Sequence, residues 1–579
     1  MKTLNNNIFR MDDLGKKVTL YGWVSIKRKL GGLTFIDLRD RTGIIQLVFK
    51  EDNKYLKEAE NLKKESVVKV EGIIKERESK NKDLATGDIE VDVTSLEVLS
   101  SSLDLPFEIV DNPSSNEETR LKYRYLDLRR KPLRENLMLR HKIYMIIRNY
   151  LTKEGFIEVE TPILSKATPE GARDYLVPSR IYNGSFYALP QSPQIYKQLL
   201  MIGGIEKYYQ IAKCFRDEDL RSDRQPEFTQ LDLEMSFIEE NDIFHVVENV
   251  MKEIFKEVKN ITDLAFPRMT WKEAIESYGS DKPDLRFAMK INDLSSIFGD
   301  SNFKIFKDVL KEHGIINGLV VKGGSNKLGA GEIKKLEKIA KDFKAHGLIE
   351  LRIANLDFTG GIAKFLKEAE KERLFKELKL EENDTLLIVA GKEKVVKYSL
   401  GAVRKALGEE LDLKEKDYQF VWITEFPMYE YDEETDTYSP AHHPFTSPLQ
   451  EDIDKMLTDK LHCRSRAYDL VLNGFELLSG SIRIHNKELQ QKVFDAIGLS
   501  EEEQQAKFGF FLEAFKYGAP PHGGIGLGLD RLIMILAGTD NIKDVIAFPK
   551  TASAYDLMSD SPSKVGTDQL DELGIKLKE

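Results

Sequence analysis

The sequence predicts an α+β chain of several domains: a small five-stranded barrel at the N-terminus, a larger α+β body, and a module inserted into that body. Three observations lead there. Residues 17–99 read as five strands interrupted by one short helix, the pattern of an OB barrel. The chain has 579 residues, 41% of them hydrophobic, enough for three or four packed domains. Between about 287 and 397 the pattern of the main body gives way to lysine-bearing helices, such as Lys334-Lys335-Leu336-Glu337-Lys338.

Along the chain, strands are expected at 18–24, 33–40, 44–49, 67–74 and 89–99, with a helix near 53–64. Asp40-Arg41-Thr42-Gly43 turns the second strand into the third. In this hairpin Ile36 and Leu38 share one face, and Leu33, Phe35, Asp37 and Arg39 the other. On the return strand Ile45, Leu47 and Phe49 point inward and Gln46 outward. Residues 106–116 carry two prolines and a polar cluster and read as a linker. A helical stretch at 116–155 precedes a strand at 156–160, which stops at Pro162. The main body runs to about Arg286, and strands at 418–424 and 473–484 resume it. The resulting domains are the barrel (1–105), a hinge (106–135), the first part of the main body (136–286), the inserted α+β domain (287–397) and the second part with a C-terminal extension (398–579).

Composition excludes several classes of function. The 86 basic and 97 acidic residues give a formal charge of −11, so any nucleic-acid surface must be local, as at Lys27-Arg28-Lys29 or Arg129-Arg130-Lys131. Cys214 and Cys463 are the only cysteines. They support neither a thiol-rich zinc site nor a secreted disulfide framework. No signal core and no long apolar run occurs. The chain reads as soluble and cytoplasmic, with neither a membrane nor DNA as a partner.

Two segments carry chemistry. Cys214-Phe215-Arg216-Asp217-Glu218-Asp219-Leu220-Arg221 runs on to Arg224-Gln225-Pro226-Glu227-Phe228-Thr229-Gln230-Leu231-Asp232, a charged loop between two strands. An arginine at such a strand end can reach a phosphate. Alone, the segment reads equally as a salt-bridged surface hairpin. In Gly523-Gly524-Ile525-Gly526-Leu527-Gly528-Leu529-Asp530-Arg531-Leu532 the glycines allow close backbone approach to a ligand, and Arg531 opens a helix. Alone, that segment reads as a turn packing a helix on a sheet.

Together with Gly155-Phe156-Ile157-Glu158-Val159-Glu160-Thr161-Pro162, these segments resemble the three motifs of class II aminoacyl-tRNA synthetases, in order. Thr168-Pro169-Glu170-Gly171-Ala172-Arg173-Asp174-Tyr175, Gln191-Ser192-Pro193-Gln194-Ile195-Tyr196-Lys197-Gln198 and His442-His443-Pro444-Phe445-Thr446 resemble the bacterial-type aspartyl-tRNA synthetases. The resemblance covers essentially the whole chain. It implies an OB barrel that reads an anticodon, a class II antiparallel sheet with flanking helices, and a homodimer with residues 140–162 at its interface.

The resemblance also assigns roles. ATP and aspartate are both anionic, and the transition state gathers charge on phosphate oxygens, which fixed cations stabilise. Arg216 is then the contact to the α-phosphate and the substrate carboxylate, and Arg531 the contact to the γ-phosphate. Asp469 and Glu476 would hold Mg2+, with Glu476 counted among the catalytic groups. Asn473-Gly474 between them implies that they sit across a bend. Asp217, Glu218, Gln225, Gly528, Leu529 and Asp530 fall at ATP-binding positions. Arg483 and Lys197 match the ligands of the aspartate side chain, and Glu170, Gln194 and Asp232 the surroundings of its ammonium. His442 or His443 closes the pocket. On the barrel, Arg28, Phe35 and Gln46 match anticodon contacts, with Phe35 as the stacking platform.

The implied reaction activates L-aspartate with ATP and transfers it to tRNA(Asp), with tRNA(Asn) left open as a second acceptor. Two other readings are an asparagine-charging relative and a non-catalytic RNA-binding paralogue. The cationic pair Arg483 and Lys197 speaks against the first, and intact Arg216, Glu476 and Arg531 against the second. No catalytic group is apparent in the insertion, which leaves it tRNA contact or structural support.

Overall fold

The structure is a computed structural model that describes residues 5–167, 171–415 and 417–578. The chain divides into two compact units. The first comprises residues 1–137 with 547–551 and 555–562; the second holds the remainder. The first unit therefore runs past 105 and takes in the expected hinge.

The first unit contains a closed barrel of β1 (Lys17–Leu30), β2 (Leu33–Arg39), β3 (Ile44–Phe49), β4 (Val67–Glu76) and β5 (Ile89–Ser100) in the order β1-β2-β3-β5-β4. Only β3 and β5 run parallel. Period-two alternation fills the interior: Leu20, Ile36, Leu38, Ile45, Leu47, Phe49, Val68, Val70 and Val91 form one buried cluster. A helix, Leu56–Asn61, interrupts the strands, shorter than the sequence suggests.

The second unit is built on an eight-stranded sheet. Its order is Arg268–Thr270, Phe420–Thr424, Ala467–Leu472, Phe475–Ile482, His522–Gly528, Glu227–Ser236, Lys207–Phe215, Ile157–Glu158. The two outermost pairings are parallel and the others antiparallel. One face carries Leu231, Leu233, Leu470, Leu478, Ile525 and Leu527, and packs on Ile243, Val247 and Ile254 of the helix Glu240–Lys259 and on Leu532 of the helix Leu529–Ala537. Polar residues alternate onto the other face. The glycine-rich segment is a central strand, where the sequence suggests a turn.

The insertion forms its own five-stranded antiparallel sheet, in the order Ile291–Asp293, Ile315–Val321, Thr385–Gly391, Ile349–Ala354, Asp357–Thr359. Alternating residues bury both of its faces: Leu319, Leu387 and Val389 on one, Ile316, Leu386 and Ile388 on the other. The helix Glu393–Glu410 belongs to this module, because its Val396, Leu400, Val403 and Leu407 complete the first core. A boundary at 397 would cut that helix, so the module extends to about residue 411.

Candidate active site

The polar face of the large sheet is assembled by strand register. Asp232 lies opposite Gly526 and Glu234 opposite Gly524, while Ser479 and Ser481 lie opposite the same two glycines from the other side. Directly paired residues share a face. Glycine is required here: a Cβ on Gly524 would lie 2.0 Å from Glu234 Oε2.

Asp469 and Glu476 stand on the two strands of a hairpin, opposite Ser479 and Val471 respectively, and its turn is Asn473-Gly474, both at positive φ (54° and 81°). That pair suits a two-residue hairpin, and the strand begins at Phe475, after the turn. A bulge follows: Val471 pairs with Glu476, but Leu470 with Leu478, so Leu477 is extra. Leu477 and Leu478 both turn into the hydrophobic core. The parity of the strand switches there, and even-numbered Glu476 comes to share a face with odd-numbered Ser479, Ser481 and Arg483.

Four buried charges form the floor. Arg483 donates from Nε and Nη2 to Glu234 (2.9 and 3.2 Å), and from Nη1 to Ser481 Oγ and His443 Nε2 (both 2.6 Å). Lys197 Nζ donates to Asp232 Oδ1 (2.9 Å) and to the carbonyl of Ile525 (3.0 Å), and lies 3.6 Å from Glu234. Burial alone would push the Glu234 carboxyl up, but Arg483 and Lys197 hold it below its ordinary value. Asp232 goes the other way: burial raises its carboxyl more than Lys197 lowers it. Its Oδ2 is buried with no hydrogen-bond partner among the described residues. Gln194, at the start of the helix Gln194–Ile202, is buried with an unpartnered amide Nε2.

The two histidines part company. Residues 445–447 are stitched to the Arg483 strand end through Ile484 N to Phe445 O and Ser447 N to Ile482 O, which sets His443 against Arg483. Burial, then Arg483, His442 and Lys197, hold His443 well below its ordinary value, so its ring is neutral and Nε2 can accept. His442 packs edge-on against Phe426 and directs Nε2 toward Asp469 Oδ1, 3.7 Å away. Burial and the neighbouring Glu476 raise the Asp469 carboxyl. Glu476 is held down, against burial, by Lys282 and Arg531.

Around the rim, Arg216 lies over the Phe228 ring at 5.1 Å. Glu218 pairs with Arg224 (3.2 Å), and Gln225 is buried in the same loop. Asp217 is exposed, its backbone N–H bonded to Arg173 O. Arg531 donates to the carbonyl of Glu476 and to Asp223 (3.0 Å). Leu529 is a core residue. The Asp530 carboxylate is committed to Arg140 and to the Thr229 N–H (2.6 Å). The side chains of these two residues are therefore engaged within the protein, which leaves only their backbone to a ligand. Glu170 lies outside the described residues. Sequence reasoning missed Glu234 and Lys282. Glu234 was signalled by parity with Gln230 and Asp232; Lys282 comes from a loop with no such signal. Lys282 lines, with Lys197, Asp232, His442, His443 and Arg483, a cavity of about 1500 Å³ that reaches from Gln194 and Arg216 through Asp469 and Glu476 to Trp271 and Lys394.

On the barrel, Arg28 forks onto Asp37 (2.8 and 3.0 Å) and donates to Gln46 Oε1 (3.1 Å), and Gln46 donates to Glu90 (2.7 Å). Phe35 pairs with Arg28 across the strands and is half-buried.

Comparisons with known proteins agree with this arrangement. The family profile "tRNA synthetases class II (D, K and N)" matches residues 116–552, and the profile "OB-fold nucleic acid binding domain" matches residues 18–99. The chain is 52% identical to the aspartate–tRNA ligase of Macrococcus caseolyticus over 571 residues, 97% of this chain and 96% of that protein. It is also 52% identical to the aspartate–tRNA(Asp/Asn) ligase of Caldanaerobacter subterraneus subsp. tengcongensis, over 98% of this chain and 96% of that protein. Among solved structures, the fold matches asparaginyl-tRNA synthetase from Pyrococcus horikoshii with a TM-score of 0.60 at 22% identity, covering 95% of this chain and 98% of that one. It matches aspartyl-tRNA synthetase from Entamoeba histolytica with a TM-score of 0.57 at 22% identity, covering 93% and 89%. The chain belongs to the class II tRNA synthetases of the D, K and N group, and within them to the aspartate–tRNA ligase family.

Proposed function

We propose that the chain activates L-aspartate with ATP to aspartyl-adenylate, releasing pyrophosphate, and then transfers aspartate to the 3′-terminal adenosine of tRNA(Asp). The observation that carries the choice of amino acid is the buried charge count. Asp232, through its unpartnered Oδ2, takes the substrate ammonium. Lys197 and Arg483 balance Asp232 and Glu234, so the ammonium that Asp232 takes up leaves one net positive charge in the floor for the side-chain carboxylate. Asparagine would leave that charge unmatched.

In this reading Arg216 orients the α-carboxylate against the α-phosphate, and Arg531 leaves Asp223 for the terminal phosphate of ATP. Gln225 and Glu218 border the adenine, and the backbone of 528–530 passes beside the nucleotide. His443 rests on Arg483 until the substrate side chain arrives. Mg2+ fits Asp469 and Glu476: two hard carboxylates share one face, and Asp469 Oδ1 is buried without a hydrogen-bond partner among the described residues. No group of three or more His, Cys, Asp or Glu with metal-site geometry occurs among the described residues, so phosphate oxygens would complete the coordination. When bound, the ion neutralises charge developing on the phosphates.

On the barrel, Phe35 stacks on an anticodon base beside Arg28 and Gln46. The proposal includes tRNA(Asn) as a second acceptor, because some relatives bear the name aspartate–tRNA(Asp/Asn) ligase. It also includes a homodimer and work in the cytoplasm, where tRNA is charged; no described helix is long and apolar enough to cross a membrane. Charging assays on purified tRNA(Asp) and tRNA(Asn) test it. Aspartate should load onto tRNA(Asp), and Phe35→Ala should weaken charging by about 1–3 kcal/mol of lost stacking while tRNA-free pyrophosphate exchange is kept. Equal loss of both activities would remove Phe35 from the anticodon.

A further inference from the structure

We propose that Lys282 is a further positioning residue of the adenylation step: its ammonium pairs with Glu476 before the divalent cation binds and yields the carboxylate to that cation. The inference rests on the reading of Asp469 and Glu476 as the metal pair.

Lys282 Nζ lies 2.7 Å from Glu476 Oε2, and both residues line the same cavity as Asp469. The lysine comes from none of the three class motifs. It stands on the loop 279–287, between the helix Trp271–Tyr278 and the first strand of the insertion. A lysine–glutamate pair on a free surface contributes little, because two mobile side chains must be ordered to make it. This one is presented by backbone held at both ends.

At the first end, Gly279 adopts φ +65° as the helix cap, and its backbone touches the insertion's helix Glu393–Glu410. A Cβ on Gly279 would lie 2.1 Å from Lys397 O, and a Cβ on Gly401 2.3 Å from Gly279 O. Only glycine fits at either position. At the other end, Arg404 of the same helix donates to the carbonyls of Asp284, Phe287 and Met289 (2.9, 3.0 and 2.6 Å). Its guanidinium packs on the rings of Phe287 and Tyr278 (4.2 and 4.8 Å). Asp284 is pinned in turn by the N–H and guanidinium of Arg286. The insertion thereby fixes the loop that aims Lys282 at the carboxylate.

The consequence is competition. Asp469 and Glu476 repel each other unless a cation stands near, and Lys282 supplies one. A divalent ion must displace that ammonium, so nucleotide-free enzyme is kept from loading metal tightly. The freed ammonium stays tethered to its loop.

The test is Mn2+ binding to the full-length protein, followed by the electron paramagnetic resonance signal of free Mn2+, without and with ATP. Lys282→Met should bind Mn2+ about tenfold or more tightly than the unmodified protein when ATP is absent, as expected for removing a unit charge a few ångströms away. Lys282→Arg, which keeps the cation, should restore unmodified binding. Unchanged or weaker Mn2+ binding by a folded Lys282→Met overturns the proposal. If that variant does not fold, a crystal structure of the unmodified protein with Mg2+ and a non-hydrolysable ATP analogue decides. Lys282 Nζ parted from Glu476 supports the proposal, and an intact pair overturns it. Absence of Mn2+ bound to unmodified protein even with ATP would remove the metal pair itself, and this inference with it. A purely structural lysine would lower the melting temperature and leave Mn2+ affinity unmoved.

Discussion

Arg483 holds two jobs that sequence reasoning treats as alternatives. It is the aspartate ligand by resemblance, and it is also the main partner of a buried glutamate. Arg483→Leu should therefore lower both the melting temperature and aspartate kcat/KM. Removing one partner of a buried charged pair costs about 2–5 kcal/mol. That corresponds to roughly 30- to 5,000-fold in aspartate kcat/KM, with ATP KM little changed. Glu234→Gln should leave the buried Arg483 without its anionic partner and lower the melting temperature. A normal aspartate KM in a folded Arg483→Leu protein would make the residue structural only. The buried histidines give a pH prediction. Burial, and for His443 also Arg483, His442 and Lys197, lower the values of His443 and His522. Below about pH 6.5 the unfolded chain takes up a proton on each while the buried rings do not, so stability falls as pH falls. Each contributes up to about 1.4 kcal/mol per pH unit well below that point. His443→Gln should flatten the slope of melting temperature between pH 7 and 5.5; an unchanged slope would mean that the ring is protonated when folded.

Strands were the most legible elements, because alternation is local. Ile36 and Leu38 inward, and Ile45, Leu47 and Phe49 inward, follow from period two alone. The glycine-rich strand was not legible, since its glycines answer to Glu234 on a neighbouring strand nearly 300 residues away in sequence. The bulge at Leu477 was equally hidden, and with it the reason that Glu476 and Arg483 share a face. The insertion changed most. With no catalytic group in it, removing 287–397 is expected to leave adenylate formation intact. The structure argues otherwise, because that cut takes the first turn of the helix whose Gly401 and Arg404 hold the Lys282 loop, together with the sheet that this helix packs on. Gly401→Ala forces a Cβ against Gly279 O and should cost about 1–3 kcal/mol as overpacking. It should also shift Mn2+ affinity in the direction of Lys282→Met. A stable Gly401→Ala protein with unmodified metal binding would uncouple the insertion from the site.

For the molecule as a whole, the site residues came from motifs scattered between positions 194 and 531, and the large sheet gathers them. What the motifs could not supply was the balance of charge, which depends on Asp232 and Glu234 being buried beside Lys197 and Arg483. Within the segment 140–162 expected at a dimer interface, Met145 on the helix Lys131–Lys153 and Ile157 on the outer strand are exposed, and Met138, Ile163 and Leu164 are exposed just beyond its ends. The purified protein should sediment as a dimer, and Ile157→Asp with Ile163→Asp should shift it toward monomer. A monomeric unmodified protein would require another role for that surface. Activation of aspartate with ATP at this site is read by ATP–pyrophosphate exchange without tRNA. Exchange should depend on L-aspartate, remain near background with L-asparagine, and fall about 100- to 1,000-fold in Arg216→Ala and in Arg531→Ala. Exchange that proceeds equally with asparagine, or that survives either arginine substitution at near-normal rate, would contradict aspartate activation by these residues.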